Sequence, residues 1–166
     1  MKKSLILIIL FFLVGCGYKP VTHYTKEQIY GLVYLTSITS LENPQNSVIL
    51  QDNVARILIS NLDLELTDNK NLADTIVTVS IGTPYFKVVE YNTQGYVKTY
   101  RAKVSVELIY QNEQTQRRVS SNGEYDFSVG SVSTISDTER FNAIKQATSK
   151  ALEDILGKIA VQSFKK

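Results

Sequence analysis

A stretch of alternating apolar and polar side chains in the middle of the sequence constrains the fold most strongly. Between residues 96 and 110, one alternate set is apolar or aromatic: Tyr96, Tyr100, Ala102, Val104, Val106, Leu108 and Tyr110. The intervening set is polar: Thr99, Arg101, Lys103, Ser105 and Glu107. Because alternate side chains of a β-strand point to opposite faces, this period predicts a long antiparallel strand with one buried and one solvated face.

Flanking segments add three more strands. Residues 31–38 and 74–90 are rich in β-forming side chains. Pro84 within the second segment predicts a bulge, a kink or an edge position, because proline cannot donate to a strand ladder. The last strand is marked by apolar and aromatic residues: Val119, Tyr125, Phe127 and Val129. Gly123 in that strand is predicted to form a bulge, and turns are predicted at 42–46, 68–71, 92–95 and 112–114.

Two amphipathic helices complete the predicted fold. After Pro44, apolar residues recur at helical spacing: Leu50, Val54, Ile57, Leu58 and Leu62. Ser136 and Glu139 match a capping box that opens a C-terminal helix with an apolar stripe. The order β-α-β-β-β-α predicts an α+β fold. We expect a two-layer sandwich, with a mostly antiparallel four-stranded sheet and two helices packed on one face.

The N-terminus has the layout of a lipoprotein leader. Two lysines precede an apolar run, Leu5–Val14, that is shorter than the ~20 residues a membrane-spanning helix needs. The segment Leu13–Cys16 resembles the bacterial lipobox, in which the cysteine is acylated and becomes the first residue of the mature chain. The alternative is an ordinary secreted protein whose cysteine lies near the cleavage site by chance. We predict a signal peptide over 1–15, a lipidated N-terminus and tether over 16–30, and a single α+β domain over 31–166.

The number of cysteines and the net charge indicate which kinds of stabilisation and partner this protein can have. Cys16 is the only cysteine, so no disulfide can form and the core must stabilise the domain. Two or three acyl chains such as palmitate on one residue would give effectively permanent membrane attachment. Lys2 and Lys3 leave with the signal peptide, after which basic and acidic residues are equal in number. A nucleic-acid-binding protein would carry a basic excess, so we predict no nucleic-acid partner.

The sequence shows no catalytic pattern. His23 is the only histidine and lies in the predicted tether, so neither a histidine-based triad nor a zinc site can be assembled. The glycines are scattered singly and form no phosphate-binding loop. We therefore expect a non-enzymatic protein with no metal and with no cofactor other than the covalent lipid on Cys16.

The predicted hairpin from Pro84 to Arg101 is unusually rich in aromatic and basic residues. Its cations are Lys87, Lys98 and Arg101, and its most prominent tyrosines are Tyr85, Tyr91 and Tyr96. One interpretation is cross-strand aromatic pairing with solvated lysines, which stabilises hairpins in general. The other is a tip on which the cations contact an anionic amphiphile and the tyrosines contact a partner protein.

Several of these features together resemble one known family. The lipobox followed by Gly17-Tyr18-Lys19-Pro20, the element order and the long last helix resemble the lipopolysaccharide-assembly lipoprotein family LptE. The segments Gly123–Phe127 and Ile135–Phe141 are similar to the divergent branch of epsilon-class proteobacteria. The resemblance covers essentially the whole mature chain.

The resemblance implies a concrete function. Members of this family lie in the lumen of a large outer-membrane β-barrel, LptD, as plug and assembly factor, and help deliver lipopolysaccharide to the outer leaflet. The family is also reported to bind lipopolysaccharide through basic residues near a loop of the sheet, for which Lys87, Lys98 and Arg101 are our candidates. In enteric bacteria, an aspartate directly after the lipidated cysteine signals retention in the inner membrane. This chain has Gly17 at that position, which implies outer-membrane localisation, on the periplasmic side or within the barrel lumen.

Two other functions remain open at this point. The chain could be a stand-alone envelope lipoprotein that forms a structural part of a secretion or surface-structure assembly, with no lipid binding. It could also be retained in the inner membrane, although Gly17 argues against this. The identity of the partner protein discriminates the first alternative from an obligate barrel plug, whose interface would be large.

Overall fold

The computed structural model describes residues 21–38, 44–130 and 134–163. Its helices are α1 (Val21–Lys26), α2 (Pro44–Leu62) and α3 (Asp137–Ser163), with a short 3-10 helix at Lys70–Leu72. Its strands are β1 (Leu32–Ser37), β2 (Glu65–Thr67), β3 (Thr75–Ile81), β4 (Tyr85–Tyr91), β5 (Val97–Gln111) and β6 (Gln116–Ser128). The predicted α+β class is confirmed, and Cys16 lies outside the described residues.

The sheet has six strands and is mixed, so the prediction of a mostly antiparallel four-stranded sheet is wrong. β5 pairs antiparallel with β6 along one edge and with β3 and β4 along the other. β1 pairs parallel with both β2 and β3. β1 and β2 run parallel because α2 carries the chain back to the end of the sheet where β1 began. Parallel neighbouring strands require such a crossover connection.

The sequence predicted a bulge, a kink or an edge position at Pro84, and the structure has a break between β3 and β4 there, with a one-residue change of register. β3 and β4 follow the same edge of β5, but the register changes between the pairs Ile81–Val106 and Tyr85–Lys103. The N–H of Gly82 still donates to the carbonyl of Ser105 at 2.9 Å. One extra residue between the two strands exchanges the odd-numbered and even-numbered positions that face the core. Val77 and Val79 therefore point inward from β3, whereas Phe86 points inward from β4.

The core lies between one face of the sheet and helices α2 and α3. The alternation predicted for β5 is confirmed over its C-terminal half, where the fully buried residues are Ala102, Val104, Val106, Leu108 and Tyr110. The helices add Leu50, Val54, Leu58 and Leu62 from α2 and Ala147, Ala151, Ile155 and Ile159 from α3. Each large aliphatic side chain contributes roughly 1.5–3 kcal/mol by its burial. The opposite, outer face of β5 carries the polar set.

A third helix corrects the expected number of two. α1 lies in the segment predicted as a tether, and it is fixed to the rest of the domain. The buried Thr25 hydroxyl donates to the carbonyl of Leu156 at 3.1 Å, and the side-chain amide of Asn112 donates to the carbonyl of Gln28 at 2.9 Å. Ile29 is fully buried in the core. Thus the part of the tether that the structure describes packs against α3 and the β5–β6 turn.

The capping box of α3 is confirmed. The N–H of Ser136 donates to Glu139 Oε2 at 2.8 Å, and the N–H of Glu139 donates to Ser136 Oγ at 3.3 Å. Hydrogen bonding by Ser136 lowers the pKa of the Glu139 carboxyl below its usual value. The carboxylate thereby also lies at the helix N-terminus, where negative charge is favourable.

Gly123 is not a bulge, contrary to the prediction. It pairs with Val104 in a register that continues without interruption along β5 and β6. An added Cβ would lie 1.8 Å from the carbonyl oxygen of Ala147. The glycine is therefore required by the close approach of α3 to the sheet rather than by strand geometry.

Candidate functional site

The hairpin between β4 and β5 forms one end of the sheet. The side-chain oxygen of Asn92 accepts hydrogen bonds from the N–H groups of Gln94 at 3.0 Å and Tyr96 at 2.9 Å. Gly95 has a φ of 84°, a conformation that costs glycine little. The predicted turn is therefore confirmed, and it brings the aromatic and basic residues of the two strands together.

The predicted partner-surface tyrosines are all exposed on this hairpin. Tyr85, Tyr91 and Tyr96 have relative exposures of 61%, 61% and 60%. Tyr85 lies opposite Lys103 in the β4–β5 register, while Tyr91 and Tyr96 flank the turn. Val89, in the irregular part of β4, is 47% exposed. The hairpin thus presents large apolar surface to solvent, which is a common property of protein-binding sites.

Arg101 is held by an ion-pair network on the outer face. Its Nε and Nη2 donate to the two carboxylate oxygens of Asp126 at 2.6 and 2.8 Å, and its Nη1 donates to Glu124 at 3.2 Å. Hydrogen bonding to Arg101 lowers the pKa of the Asp126 carboxyl, and the same contact raises the pKa of the guanidinium. Lys103 Nζ lies 3.0 Å from Glu124 and lowers the pKa of that carboxyl. These two cations and two anions neutralise one another.

Lys98 is also paired. Its Nζ donates to Glu90 at 2.8 Å, and the hydroxyl of Thr99 donates to the other oxygen of the same carboxylate at 3.1 Å. These contacts lower the pKa of Glu90. By contrast, Lys87 is exposed, pairs with Arg101 in the strand register, and has no ion pair among the described residues. Of the three predicted contact cations, Lys87 therefore has its charge most available to a ligand.

An aromatic cluster lies on the helix side of the same strands. The Phe127 ring contacts Phe86 edge-on and stacks with Tyr100, with centroids 6.2 Å apart in both pairs. The guanidinium of Arg140, in the first turns of α3, lies 4.9 Å from the Phe86 ring centroid. Such cation–π contacts are worth ~0.5–1 kcal/mol at exposed sites. Sequence reasoning missed Arg140, because only the packing of α3 on the sheet brings it to Phe86.

A second cation from α3 borders an open cleft. Lys150 Nζ lies 5.4 Å from the ring centroid of Tyr125. The cleft has a volume of about 310 Å³ and is lined by Arg101, Glu124, Tyr125, Asp126 and Lys150. Its lining contains two cations, two anions and one aromatic ring, so it suits a polar group and offers no deep apolar enclosure. Sequence reasoning missed Lys150 as well, although the alternation in β6 places Tyr125 on the helix side.

A serine, an aspartate and a lysine meet where α3 crosses β6. The hydroxyl of Ser121 donates to Asp154, whose carboxylate also accepts from Lys158 Nζ at 2.8 Å. Lys158 further donates to Ser121 Oγ at 3.1 Å and to the carbonyl of Ser120 at 3.0 Å. Hydrogen bonds from Lys158 and Ser121 lower the pKa of Asp154, which keeps it an anion and a weak base. The cluster ties the helix to the edge strand.

These ion pairs, together with the capping box of α3, predict a loss of stability in acid. The carboxyls with lowered pKa values are Glu90, Glu124, Asp126, Glu139 and Asp154. Because the unfolded chain takes up protons at higher pH than the folded chain does, their stabilisation is complete above the unfolded-state pKa values. We expect it to be lost progressively below about pH 5, measured as a falling urea midpoint.

Asp154→Asn tests this assignment at one position. It should make the pH dependence of the urea midpoint shallower, because one of the carboxyls with a lowered pKa is gone. The matched control is Asp52→Asn, the same substitution at an exposed position of α2 that has no ion pair among the described residues. An unchanged slope for Asp154→Asn would contradict the assigned role of the Asp154 carboxylate.

Other ligand chemistries find little support in the part of the chain that the structure describes. Across residues 21–38, 44–130 and 134–163, no group of three or more side chains from His, Cys, Asp and Glu could hold a metal ion. His23 lies on α1, 3.7 Å from Glu27. Among the same residues, no helix is long and apolar enough to cross a bilayer.

Comparisons with known proteins find a matching family and several similar structures. The model of the LptE family, described as lipopolysaccharide-assembly, matches residues 33–159. Rare lipoprotein B from Shewanella oneidensis has a similar structure, with a TM-score of 0.50, 14% identity, and coverage of 81% of this chain and 98% of that chain. A protein described as a lipoprotein, from Caulobacter crescentus, has a TM-score of 0.51 and 9% identity over 88% of this chain and 97% of its own. No curated protein sequence matches the chain.

Proposed function

This chain belongs to the LptE lipopolysaccharide-assembly family, and we propose that it is an outer-membrane lipoprotein that partners the β-barrel LptD. In this function it acts as plug and assembly factor and aids the transport of lipopolysaccharide to the outer leaflet. The role is one of binding rather than catalysis, with the lipid on Cys16 as the only attached group. The observation that carries the proposal is the family match, which runs from β1 nearly to the end of α3.

The exposed hairpin supports a protein partner. Tyr85, Tyr91 and Tyr96 each leave most of their surface in solvent, although aromatic side chains contribute large burial energies when covered. Tyrosines are enriched at protein interfaces because the ring is apolar and the hydroxyl can hydrogen-bond. We therefore propose the β4–β5 hairpin as part of the surface that contacts the barrel wall.

Lys87 is the basic residue that we propose for lipopolysaccharide contact. We expect Lys87→Glu to weaken lipopolysaccharide binding about two- to fivefold, because an exposed ion pair is worth ~0.2–1 kcal/mol. The change should not alter the fold, since Lys87 has no ion pair among the described residues. Binding would be measured by titrating labelled lipopolysaccharide into the purified protein.

The matched control for this titration is Arg56→Glu, the same change of charge at an exposed position of α2. It should bind lipopolysaccharide as the unchanged protein does. Adding Lys98→Glu to Lys87→Glu should weaken binding further, because it also sets two carboxylates side by side where Lys98 now pairs with Glu90. Equal affinity of all variants would contradict the contact assigned to this hairpin.

The barrel partnership is tested by extraction of the protein from outer membranes. Tagged protein would be extracted in mild detergent, and the proteins that co-purify would be identified by mass spectrometry. We expect LptD at close to equal stoichiometry. Recovery of the chain alone, under conditions that preserve other barrel complexes, would favour a stand-alone envelope lipoprotein in a secretion or surface-structure assembly. The closed core supports that second candidate, because α2 and α3 already cover the apolar face of the sheet.

A further inference from the structure

The distance between the lipid-bearing residue and the folded domain is short. Only residues 17–20 separate Cys16 from Val21, the first residue of α1. A fully extended chain advances ~3.3–3.6 Å per residue, so the Cα atoms of Cys16 and Val21 lie at most about 18 Å apart. This limit follows from covalent geometry and holds for any conformation of the intervening residues.

The residue at which this short connection ends belongs to a helix fixed to the domain. α1 is tied to α3 by the buried Thr25 hydroxyl, which donates to the carbonyl of Leu156. Ile29, just after the helix, is buried in the core, and the carbonyl of Gln28 accepts from Asn112. Movement of the anchor away from α1 would therefore require breaking buried contacts. The tether cannot lengthen without cost.

The contacts of Lys26 with Asp63 and of Gln28 with Asn112 place the C-terminal side of α1 at one end of the domain, which we call the proximal end. Here β1 begins, β3 begins and β5 turns into β6, as shown by the Cα pairs Val33–Thr75 and Gln111–Gln116. The 3-10 helix before β3 exposes Leu72, at 64%, and Lys70, while α3 exposes Val161, at 57%. An apolar side chain beside a lysine can contact both the acyl region and the headgroups of a lipid surface.

The β4–β5 turn lies at the other, distal end. β5 runs from Val97 at the turn to Gln111 at the proximal end. At ~3.3 Å per residue this strand is about 46 Å long, similar to the 40–45 Å thickness of a bilayer with its headgroups. Tyr91 and Tyr96, which flank the turn, are therefore separated from the proximal end by about one membrane thickness.

We infer that the proximal end, with Leu72 and Lys70, faces the bilayer that holds the lipid on Cys16, and that the β4–β5 turn is the membrane-distal end. The inference rests on the lipid anchor of the proposed function, but not on the barrel partner. It adds an orientation for the anchored protein by itself, in which the tyrosine-rich hairpin points away from the bilayer.

Single engineered cysteines test this orientation. The mature lipoprotein has no free thiol, because its only cysteine carries the lipid, so Leu72→Cys and Thr93→Cys would each take one fluorophore. The lipidated variants would be reconstituted in phosphatidylethanolamine–phosphatidylglycerol vesicles with a quencher attached to the lipid headgroups. We expect quenching at position 72 to be at least about threefold stronger than at position 93, because β5 separates the two ends by tens of ångströms.

Each outcome bears on the inference. Equal quenching at both positions, or stronger quenching at position 93, in vesicle-bound protein overturns the orientation but not the anchor. Protein that carries no lipid by mass spectrometry and does not bind vesicles overturns the anchor and the orientation together. Neither result depends on the presence of LptD.

A variant with a lengthened tether shows whether the short tether causes the proposed orientation. A flexible linker of about 20 Gly and Ser residues between Tyr18 and Lys19 has an r.m.s. length of roughly 25 Å and can extend much further. If the difference in quenching disappears, the short tether sets the orientation. If it persists, contact of the proximal end, including Lys70, with the lipid surface sets it. Both results support a membrane-facing proximal end.

Discussion

Gly123→Ala is expected to lower the free energy of unfolding by about 3 kcal/mol or more, the upper end of what overpacking usually costs. The new Cβ would lie 1.8 Å from the carbonyl oxygen of Ala147 and 2.8 Å from the backbone nitrogen of Ala151. Both are backbone atoms of α3, so no side chain can rotate away. The helix would have to separate from β6, which would loosen the core on which the hairpin depends.

Gly157→Ala is the matched control on the same helix. Nothing lies within 4 Å of a Cβ at this position, and alanine favours a helix interior over glycine by ~0.8–1.0 kcal/mol. We therefore expect this variant to be slightly more stable than the unchanged protein. Urea unfolding of both variants, followed by circular dichroism, makes the comparison. A Gly123→Ala protein as stable as the unchanged one would contradict the close packing of α3 on β6.

Cys16→Ser is expected to abolish lipid attachment entirely. A serine hydroxyl cannot form the thioether that holds the diacylglycerol, and cleavage before residue 16 depends on that lipid. The uncleaved precursor should therefore accumulate with residues 1–15 still attached. Each buried methylene of the missing chains would have contributed about 0.8 kcal/mol to membrane binding, so no weaker interaction replaces the anchor.

Intact mass measurement distinguishes precursor from mature lipoprotein. Gly17→Ala is the control, because it changes the neighbouring residue and leaves the thiol of Cys16 in place. It should be processed and lipidated normally. A Cys16→Ser protein that is cleaved before residue 16 and carries lipid would contradict the predicted anchor, and with it the membrane-facing orientation of the proximal end.

The pairing of charges changes how the hairpin is interpreted. From the sequence, Lys87, Lys98 and Arg101 are equivalent candidates for contact with an anionic lipid. In the structure, Arg101 is hydrogen-bonded to Asp126 and Lys98 to Glu90. A ligand phosphate would have to compete with carboxylates already in place, so Lys87 becomes the first residue to test.

Local sequence signals predicted the elements well where one residue pattern decides the outcome. The alternation along β5, the capping box at Ser136 and the turn at Asn92 all appear in the structure. The irregularity at Pro84 was predictable, as a bulge, a kink or an edge position, because the missing N–H of proline acts at its own position. Family membership was also predictable, since the lipobox-like segment and the long last helix are properties of the linear chain.

The predictions that failed depend on residues far apart in the chain. The parallel pairing of β1 with β3 follows from where α2 returns the chain. A glycine is required at position 123 because the backbone of Ala147, on α3, lies against it. α1 was missed because its burial against Leu156 leaves no periodic pattern in so short a segment.

The sequence by itself determined the α+β class, the strand and helix segments with strong periodicity and the tyrosine-rich hairpin, and it predicts a lipid site at Cys16. Each of these is encoded by neighbouring residues, whose side-chain period or covalent chemistry acts locally. Only the tertiary structure decided the mixed six-stranded sheet, the pairing of Lys98 and Arg101 and the placement of Arg140 on Phe86. These features depend on distances between segments remote in sequence, and packing and charge neutralisation select among many pairings that the same local patterns allow.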